Sequence, residues 1–416
     1  MSKFEIEGLS KLSGEIPVLG AKNSALKLIA ATVLIKDKVI LENVPDISDI
    51  ETLINILTKN GAQISRDQHT LTIDTTNLTN DDPDADLVRK FRGSIVLAGP
   101  YLARFGKVNI PQPGGCAIGS RPIDDHLNGF KQVDTNFEKI DAIYHFKREK
   151  IEGRQIKLCP SVTATENMIM TQVLATGQTK ITDVACEPQI ADLANFLNEA
   201  GAKITGAGTD TIDIEGVDAL HGLTYKVMPD PFEACTFICL AAATNSHFKI
   251  TNCNPDHLYP FLDKLQEIGV EFVLGQDFVE VKSANNLKAT DITTGFYPEF
   301  STDMQSQTSL VLTQANGESK ISEKLFENRL GYLKELEKMG AKIEILDNHT
   351  AQITGPTKLH GAHIESLDLR AGATLILAGL MAEGKTVIDN AEIVDRGYEK
   401  IEERLAKLGA KIKRIT

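Results

Sequence analysis

The hydrophobic and polar residues of this chain follow the same order six times. Each stretch begins with a largely apolar segment, such as residues 24–34, that is long enough for a buried helix, and a short strand follows. A second segment places apolar residues three and four positions apart, as at Tyr398, Ile401, Leu405 and Leu408, which indicates a helix with one buried face. Two alternating strands end the stretch. The pattern therefore predicts six α-β-α-β-β units.

A recurring glycine sets the length of the unit, because the phrase Leu-x-x-x-Gly-Ala-x-Ile or a weaker copy of it returns every 68 to 72 residues. The six glycines are Gly61, Gly129, Gly201, Gly269, Gly340 and Gly409. Each is predicted to end the second helix, where a positive φ is favoured. Three units per globule predict two similar α/β domains. The strands around residues 3–6 and 15–19 precede the first unit and could pair with either half.

Charged residues recur at matching positions of the repeat. The first helices are predicted to begin at Lys22, Arg92, Ser161, Pro231, Asp303 and Arg370, and three of the second helices at Arg121, Arg329 and Arg396. Helix N-termini favour anions, and added cations strengthen this, so the pattern indicates an anion site in one cleft. The alternative is that some arginines pair with Asp368, Asp395 or Glu327 and only hold the fold.

One cysteine, Cys116, lies in a loop whose composition suits chemistry. Gly114 and Gly115 precede it and permit positive φ and movement, and Arg121 and Pro122 follow. A thiol near a cation is more easily ionised and can act as a nucleophile or a proton donor. The alternative is a surface turn with an incidental cysteine.

Composition and charge narrow the classes of function. The 416 residues are 42% hydrophobic and 24% charged, which is typical of globular proteins. The net charge of −13 argues against non-specific nucleic-acid binding. No apolar run approaches the roughly 20 residues that span a bilayer, and no secretory signal opens the chain, so we expect a cytoplasmic protein. The cysteines and histidines lack the spacing of a zinc site or a disulfide framework.

Motifs spread along the whole chain resemble those of a known family. They are Gly20-Ala-Lys-Asn23, the Arg92 segment, Pro113-Gly-Gly-Cys-Ala-Ile-Gly-Ser-Arg-Pro122 with Asp124 and His126, Pro160-Ser-Val, Ala164-Thr-Glu-Asn, Thr302-Asp-Met-Gln, Phe326-Glu-Asn-Arg329, Asp368-Leu-Arg370 and Asp395-Arg-Gly-Tyr398. On these motifs the chain resembles the UDP-N-acetylglucosamine enolpyruvyl transferases. The cysteine loop separates that branch from the related shikimate-pathway enzymes.

The resemblance implies a fold and a reaction. The fold would be two inverse α/β barrels of three units each, one formed by residues 21–229 and the other by residues 1–20 and 230–416. The active site would lie in the cleft between them. The enzyme would transfer the enolpyruvyl group of phosphoenolpyruvate to the 3-hydroxyl of UDP-N-acetylglucosamine, with release of phosphate, in the first committed step of peptidoglycan synthesis. It would need no metal or organic cofactor, and we expect a monomer that binds neither nucleic acid nor membrane.

The resemblance also implies roles for individual residues. Cys116 would give a proton to the methylene carbon of phosphoenolpyruvate, and Asp303 would take or hold the proton of the sugar hydroxyl. The cations Lys22, Arg121, Arg370 and Arg396 would hold the phosphate and the carboxylate. The other positions that match the family's site are Asn23, Arg92, Arg329 and Asp368, and those that match nucleotide-sugar contacts are Pro122, Ile123, Asp124, Asp125, Ser161, Val162 and Leu325.

Five residues depart from the family's usual pattern. They are Thr163 and Cys235, where glycine is usual, Pro231, where arginine is usual, and Glu299 and Ser301, where glycine and proline are usual. These departures concern the sugar site and the domain hinge, and they leave two alternatives open. One is a paralogue with a different acceptor, and the other is an inactive regulator that binds a nucleotide sugar.

Overall fold

The structure of the protein is a computed structural model that describes residues 2–114, 118–119 and 121–415. The described residues form two compact units. The N-terminal unit contains residues 20–114 and 121–228, and the C-terminal unit contains residues 2–19, 118–119 and 229–415.

The helices alternate with short strands along the whole described chain. The α-helices are α1 (Lys22–Ala31), α2 (Ser48–Lys59), α3 (Ala85–Lys90), α4 (Ala98–Phe105), α5 (Asp124–Gln132), α6 (Val162–Gln172), α7 (Pro188–Glu199), α8 (Pro231–Ala243), α9 (Tyr259–Ile268), α10 (Thr302–Leu312), α11 (Tyr332–Lys338), α12 (Leu369–Met381) and α13 (Ile401–Lys407). Short 3₁₀ helices span Thr32–Leu34, Arg92–Leu97, Pro255–Leu258 and Ala391–Arg396. No helix among these residues is both long and apolar enough to cross a membrane.

The strands are short and lie between the helices. They are β1 (Lys3–Glu7), β2 (Ser13–Pro17), β3 (Lys38–Glu42), β4 (Gln63–Asp67), β5 (Thr70–Asp74), β6 (Lys107–Pro111), β7 (Asn136–Ile140), β8 (Ile143–Lys147), β9 (Gln155–Lys157), β10 (Gln178–Thr182), β11 (Lys203–Thr205), β12 (Thr211–Glu215), β13 (Thr224–Lys226), β14 (His247–Thr251), β15 (Glu271–Leu274), β16 (Phe278–Ser283), β17 (Ile292–Thr293), β18 (Gly317–Ser322), β19 (Lys342–Ile345), β20 (Thr350–Gly355), β21 (His363–Glu365), β22 (Lys385–Asp389) and β23 (Lys411–Ile415).

The strands form small sheets, each with a mixture of parallel and antiparallel pairs or only antiparallel ones. The sheets of the N-terminal unit have the orders β13-β3-β5-β4, β6-β8-β7 and β11-β12-β10-β9, and those of the C-terminal unit β15-β16-β14-β2, β17-β18-β20-β19 and β21-β22-β1-β23. Strand β1 pairs with β22 and β23, and β2 pairs in parallel with β14. The two strands whose pairing the sequence left open thus complete sheets of the C-terminal unit.

The first helix of each repeat lies at the centre of its unit. In the C-terminal unit every residue of α8 is buried, as are residues 304–312 of α10 and 370–380 of α12. In strands such as β12, buried and exposed residues alternate, so one face of the sheet covers the helices and the other faces solvent. Helices inside and sheets outside make each unit an inverse α/β barrel.

Most of the recurring glycines end a helix as predicted. The glycines with φ between +95° and +104° are Gly61, Gly201, Gly269, Gly340 and Gly409. The prediction is wrong for Gly129, which lies inside α5, where a Cβ would come within 2.9 Å of Met168 Sδ. Asp134 takes the left-handed turn of that repeat instead, with φ of +56°. Close packing, rather than a turn, accounts for this glycine.

The helix starts settle where the repeated charges lie. The first helices begin at Lys22, Arg92, Val162, Pro231, Thr302 and Leu369, which confirms the predicted starts to within one residue. The prediction for the second helices is wrong, since α5, α11 and α13 begin three to five residues after Arg121, Arg329 and Arg396. Pro122 disfavours helical backbone at Arg121, and a turn at Lys400 with φ of +40° separates Arg396 from α13.

A buried ion pair joins two central helices of the N-terminal unit. Lys27 Nζ of α1 lies 3.3 Å from Glu166 Oε2 of α6, and the two side chains are 6% and 0% exposed. Burial raises the pKa of Glu166 to about 7, against the lowering effect of Lys27. A carboxyl whose pKa is raised on folding contributes stability below its unfolded pKa and loses it as pH rises through about 7.

We predict that Lys27→Met lowers the free energy of unfolding by about 3–5 kcal/mol at pH 8, because it leaves a buried carboxylate without its partner. The loss should be smaller at pH 5, where Glu166 is protonated. The double variant Lys27→Met/Glu166→Leu should return close to wild type, since apolar groups of similar size replace the pair. Urea unfolding at both pH values measures this. Lys59→Met, which breaks the exposed pair with Asp84, is the control and should change little. An equal loss at both pH values would contradict the prediction.

Candidate active site

Asp303 lies between two buried arginines of the C-terminal unit. Its carboxylate is 2.6 Å from Arg329 Nη2 and 3.3 Å from Arg370 Nε. The side chains of both arginines are 4% exposed, and that of Asp303 is 27% exposed. The sequence predicted all three as site residues, and the structure brings them into contact. Asp303 can therefore present a carboxylate oxygen to solvent or ligand while two fixed cations hold it.

Helix caps hold these residues in place. Asp368 is the N-cap of α12, where its carboxylate accepts hydrogen bonds from the backbone N–H groups of Arg370 and Ala371 at 2.9 and 3.1 Å. The same carboxylate lies 3.7 Å from Arg329 Nη1. Ser301 caps α10 and accepts from the Asp303 N–H at 3.3 Å. Serine at 301, where the family usually has proline, thus supplies a cap to the helix that carries Asp303.

Arg370 is held by Tyr398, which belongs to a motif of the sequence, and by groups that the sequence analysis did not single out. Its Nη1 donates to Tyr398 Oη at 3.1 Å, and its guanidinium lies 4.7 Å from the centroid of the Phe232 ring. Tyr398 Oη also lies 2.7 Å from Thr236 Oγ1. Tyr398 belongs to a motif that the sequence shows, whereas nothing in the sequence marks Phe232 or Thr236.

The electrostatics keep both arginines charged. Burial lowers the pKa of Arg329, but the negative charges of Asp303 and Asp368 raise it by a larger amount, so the net shift of the pKa is upward. Burial likewise lowers the pKa of Arg370, and Tyr398 and Asp303 outweigh that effect. The alternative in which the arginines pair with nearby carboxylates to hold the fold therefore applies in part, because Arg329 pairs with Asp368 as well as with Asp303. Asp395, another carboxylate considered in that alternative, pairs at 2.6 Å with Arg414, which is not one of the predicted site arginines.

The N-terminal unit carries the other predicted site residues. Lys22 opens α1 and lies 2.6 Å from Asp49 Oδ2, with both side chains nearly buried. The sequence gives no sign of Asp49 as its partner. Asn23 follows in the same turn and is half-buried. Arg92 opens the 3₁₀ helix Arg92–Leu97, and its Nη2 donates to the carbonyl of Pro122 at 2.7 Å.

The predicted nucleotide-sugar contacts lie at two helix starts of that unit. Asp124 and Asp125 form the first turn of α5, after exposed Pro122 and buried Ile123. Half-buried Ser161 and Val162 open α6, and Ser161 makes no side-chain cap there. The first N–H groups of α6 lack helical partners, so they can donate to an anionic ligand.

The remaining predicted site residues lie in or next to the cysteine loop, or in other parts of the chain such as the segment around Asn328, which bonds to that loop. Cys116 lies outside the described residues. Ile118 belongs to the C-terminal unit, and its carbonyl accepts from the Asn328 N–H at 3.1 Å. Leu325, half-buried, donates its N–H to Glu323 Oε1 at 2.8 Å. Half-buried Arg396 ends the 3₁₀ helix Ala391–Arg396, and half-buried Arg121 precedes α5.

The remaining departures have local roles. Pro231 is the first residue of α8, a position where proline is favoured, and Asp230 caps that helix through the N–H groups of Phe232 and Glu233. Cys235 is fully buried inside α8. Exposed Glu299 lies in a turn in which its N–H donates to the Phe296 carbonyl at 2.8 Å.

Comparison with protein families and relatives agrees with the motifs. The profile of the EPSP synthase (3-phosphoshikimate 1-carboxyvinyltransferase) family matches residues 6–405. A UDP-N-acetylglucosamine 1-carboxyvinyltransferase of Coxiella burnetii is 45% identical over all of this chain and 96% of its own length. A relative of the same name, numbered 1, from Caldanaerobacter subterraneus is 45% identical over 99% of both chains.

Solved structures share the fold. The enolpyruvyl transferase NikO from Streptomyces tendae has a TM-score of 0.91 and 26% identity, and the match covers 100% of this chain and 99% of that one. EPSP synthase from Acinetobacter baumannii has a TM-score of 0.78 at 17% identity over the full length of both chains, which supports the fold alone. These likenesses confirm the predicted fold class of two inverse α/β barrels.

Proposed function

This chain belongs to the EPSP synthase family, and from that premise we propose how its residues carry out the reaction of its relatives. It transfers the enolpyruvyl group of phosphoenolpyruvate to the 3-hydroxyl of UDP-N-acetylglucosamine and releases phosphate, a step of peptidoglycan synthesis. The full-length identity of 45% to enzymes of that name supports the substrates. The observation that carries the assignment of residues is Asp303, whose carboxylate is held between buried Arg329 and Arg370.

The reaction needs two proton transfers in its addition step. The sugar oxygen forms a bond to C2 of phosphoenolpyruvate, its proton passes to Asp303, and C3 receives a proton from Cys116. In the elimination step C3 returns a proton to the Cys116 thiolate, and phosphate leaves C2 with the proton held by Asp303, which restores the double bond in the product and both residues to their starting forms. A positioned acid or base contributes about 10²–10⁴-fold each. Arg329 and Arg370 hold the Asp303 carboxylate in place, where it can accept the hydroxyl hydrogen as the new bond forms.

The cations serve the anionic groups of phosphoenolpyruvate. Among the described residues Asp303 and Tyr398 each engage one N–H group of Arg370. A guanidinium has five N–H donors, so others remain for the phosphate or the carboxylate. We assign Lys22, Arg121 and Arg396 to the same anions, which would stabilise the charge of the tetrahedral intermediate. Asn23, Arg92, Arg329 and Asp368 would support them.

The nucleotide sugar is assigned to the N-terminal unit. Pro122, Ile123, Asp124 and Asp125 before and within α5, and Ser161 and Val162 at α6, would contact it, with Leu325 from the other unit. That both sets of residues serve one site between the units stays a prediction from the sequence, as do the closing of the Gly-Gly loop over the substrates and the absence of a cofactor. We also propose a cytoplasmic monomer that binds no nucleic acid, in line with the net charge of −13.

Phosphate release tests the function directly. Wild-type protein with phosphoenolpyruvate should release phosphate when UDP-N-acetylglucosamine is present and not without it. Release that needs a different sugar or alcohol would favour the paralogue with another acceptor. Binding of UDP-N-acetylglucosamine by calorimetry without any release would favour the inactive regulator, and Pro231→Arg would then be the first variant to test.

A further inference from the structure

A buried network in the N-terminal unit fixes the orientation of one asparagine. Asn167 Oδ1 accepts from the Gly99 N–H at 2.8 Å, and Asn167 Nδ2 donates to the Ile95 carbonyl at 3.0 Å. A flipped amide would set the Nδ2–H donors against the Gly99 N–H, which is itself a donor, and Oδ1 against the Ile95 carbonyl oxygen, which is itself an acceptor. Both backbone groups therefore select one orientation, and the second hydrogen of Nδ2 points to His126 Nδ1 at 2.9 Å.

This orientation fixes the tautomer of His126. Its Nδ1 must accept from Asn167, so the proton of the neutral ring sits on Nε2. Burial lowers the pKa of His126 to about 3, and the positive charge of Arg92 acts in the same direction. The imidazole is therefore neutral throughout the working pH range of most enzymes. Its Nε2–H faces Thr163 Oγ1 at 3.0 Å.

The fixed histidine in turn orients the Thr163 hydroxyl. A hydroxyl has one O–H donor and two acceptor lone pairs, and the His126 Nε2–H occupies one lone pair. In the described part of the chain this is the one hydrogen bond that the Thr163 side chain makes. Its O–H therefore cannot point to the imidazole and is directed to another acceptor. Thr163 is half-buried and stands in the first turn of α6, directly after Ser161 and Val162.

We propose that the Thr163 hydroxyl donates a hydrogen bond to a diphosphate oxygen of the bound nucleotide sugar, and that His126 and Asn167 are positioning residues that aim it there. The inference rests on the proposed function, which places the nucleotide sugar at Ser161 and Val162. Diphosphate oxygens are anionic acceptors, and the helix start already favours an anion at this place. Thr163 stands where the family usually has glycine, so this donor is a feature of this chain rather than of the family pattern.

Calorimetry with UDP-N-acetylglucosamine and with UDP tests the donor. Thr163→Val keeps the shape of the side chain and removes the O–H, and it should raise the Kd of both ligands by about 10- to 100-fold, as expected for a bond to a charged acceptor. Thr163→Ser keeps the O–H and should restore binding to within a few-fold. In turnover, Thr163→Val should raise the KM for UDP-N-acetylglucosamine in step with Kd and leave kcat and the KM for phosphoenolpyruvate nearly unchanged.

The matched control is Thr171→Val in the same helix, because the Thr171 hydroxyl donates to the Asn167 carbonyl at 2.6 Å and faces no ligand in this proposal. It should leave both Kd values unchanged. A ¹⁵N NMR spectrum should show the His126 proton on Nε2 at every pH from 5 to 8. A protonated ring or the other tautomer in that range would overturn the positioning role.

Other outcomes separate this inference from the proposed function. Wild-type affinity in Thr163→Val, or a loss seen with UDP-N-acetylglucosamine and not with UDP, would overturn the diphosphate assignment while phosphate release in the wild type leaves the function standing. Tight binding of both ligands without phosphate release would count against the function alone. A wild type that binds neither ligand would overturn both. Thr163→Ala takes the place of Thr163→Val if the valine variant does not fold.

Discussion

Cys116→Ala is expected to lower kcat for phosphate release by at least about 10²–10⁴-fold, because it removes the proposed proton donor to the methylene carbon. Binding of UDP-N-acetylglucosamine should stay close to wild type, since the nucleotide-sugar contacts lie on other residues. Phosphate release at saturating substrates gives kcat, and calorimetry gives the Kd. Wild-type turnover in this variant would remove Cys116 from the mechanism.

A carboxylic acid can take over the role of the thiol, which gives a second test at the same position. Cys116→Asp should keep measurable turnover and resist alkylation by epoxides such as fosfomycin, to which the wild type should be sensitive. The control is Cys159→Ala, which removes an exposed thiol elsewhere and should leave both turnover and sensitivity unchanged. Alkylation of Cys116→Asp with loss of activity would count against the assignment.

Asp303→Asn should lower kcat by about 10²–10⁴-fold, because the amide keeps the shape of the side chain but cannot take the hydroxyl proton. It also removes the negative charge between Arg329 and Arg370, so the melting temperature should fall. Asp368, 3.7 Å from Arg329, stays as a counter-charge and should keep the variant folded. The Kd for UDP-N-acetylglucosamine should change far less than kcat.

The matched control is Glu402→Gln, which neutralises a carboxylate 2.6 Å from Arg414 in the same unit. Its melting temperature should also fall, but its kcat should not. A loss of kcat in Asp303→Asn no larger than the loss in Glu402→Gln would mean that Asp303 holds the arginines and takes no part in proton transfer.

The departures from the family pattern do not weaken the architecture around the site. Pro231 and Ser301 take helix-start positions that suit proline and serine, and Thr163 enters a hydrogen-bonded network. Each of these three changes is accommodated within its own helix turn or by one hydrogen-bond partner. The intact contacts around Asp303, together with relatives at 45% identity, favour the transferase over the inactive regulator.

The sequence by itself determined the repeat, the order of elements within it and the starts of the central helices. These features are local, because periodicity, caps and C-terminal glycines act within a few residues of the chain. The errors in predicting helix ends arose because the prediction relied on local spacing alone. Gly129 follows the repeat in spacing but packs against Met168, and the Arg121 prediction ignored the proline that follows it.

Only the tertiary structure decided how the charged residues are paired. Asp303 meets Arg329 and Arg370 across 26 and 67 residues of chain, and Lys22 meets Asp49 of the next helix. The tautomer of His126 depends on Asn167 of the next repeat, whose amide is fixed by the backbone groups of Ile95 and Gly99. Such contacts depend on how helices and loops distant in the chain pack together, within a repeat or between repeats, and a single sequence carries no local signal of that packing. The motifs could name the site residues, but only the fold could show which of them share a proton or a charge.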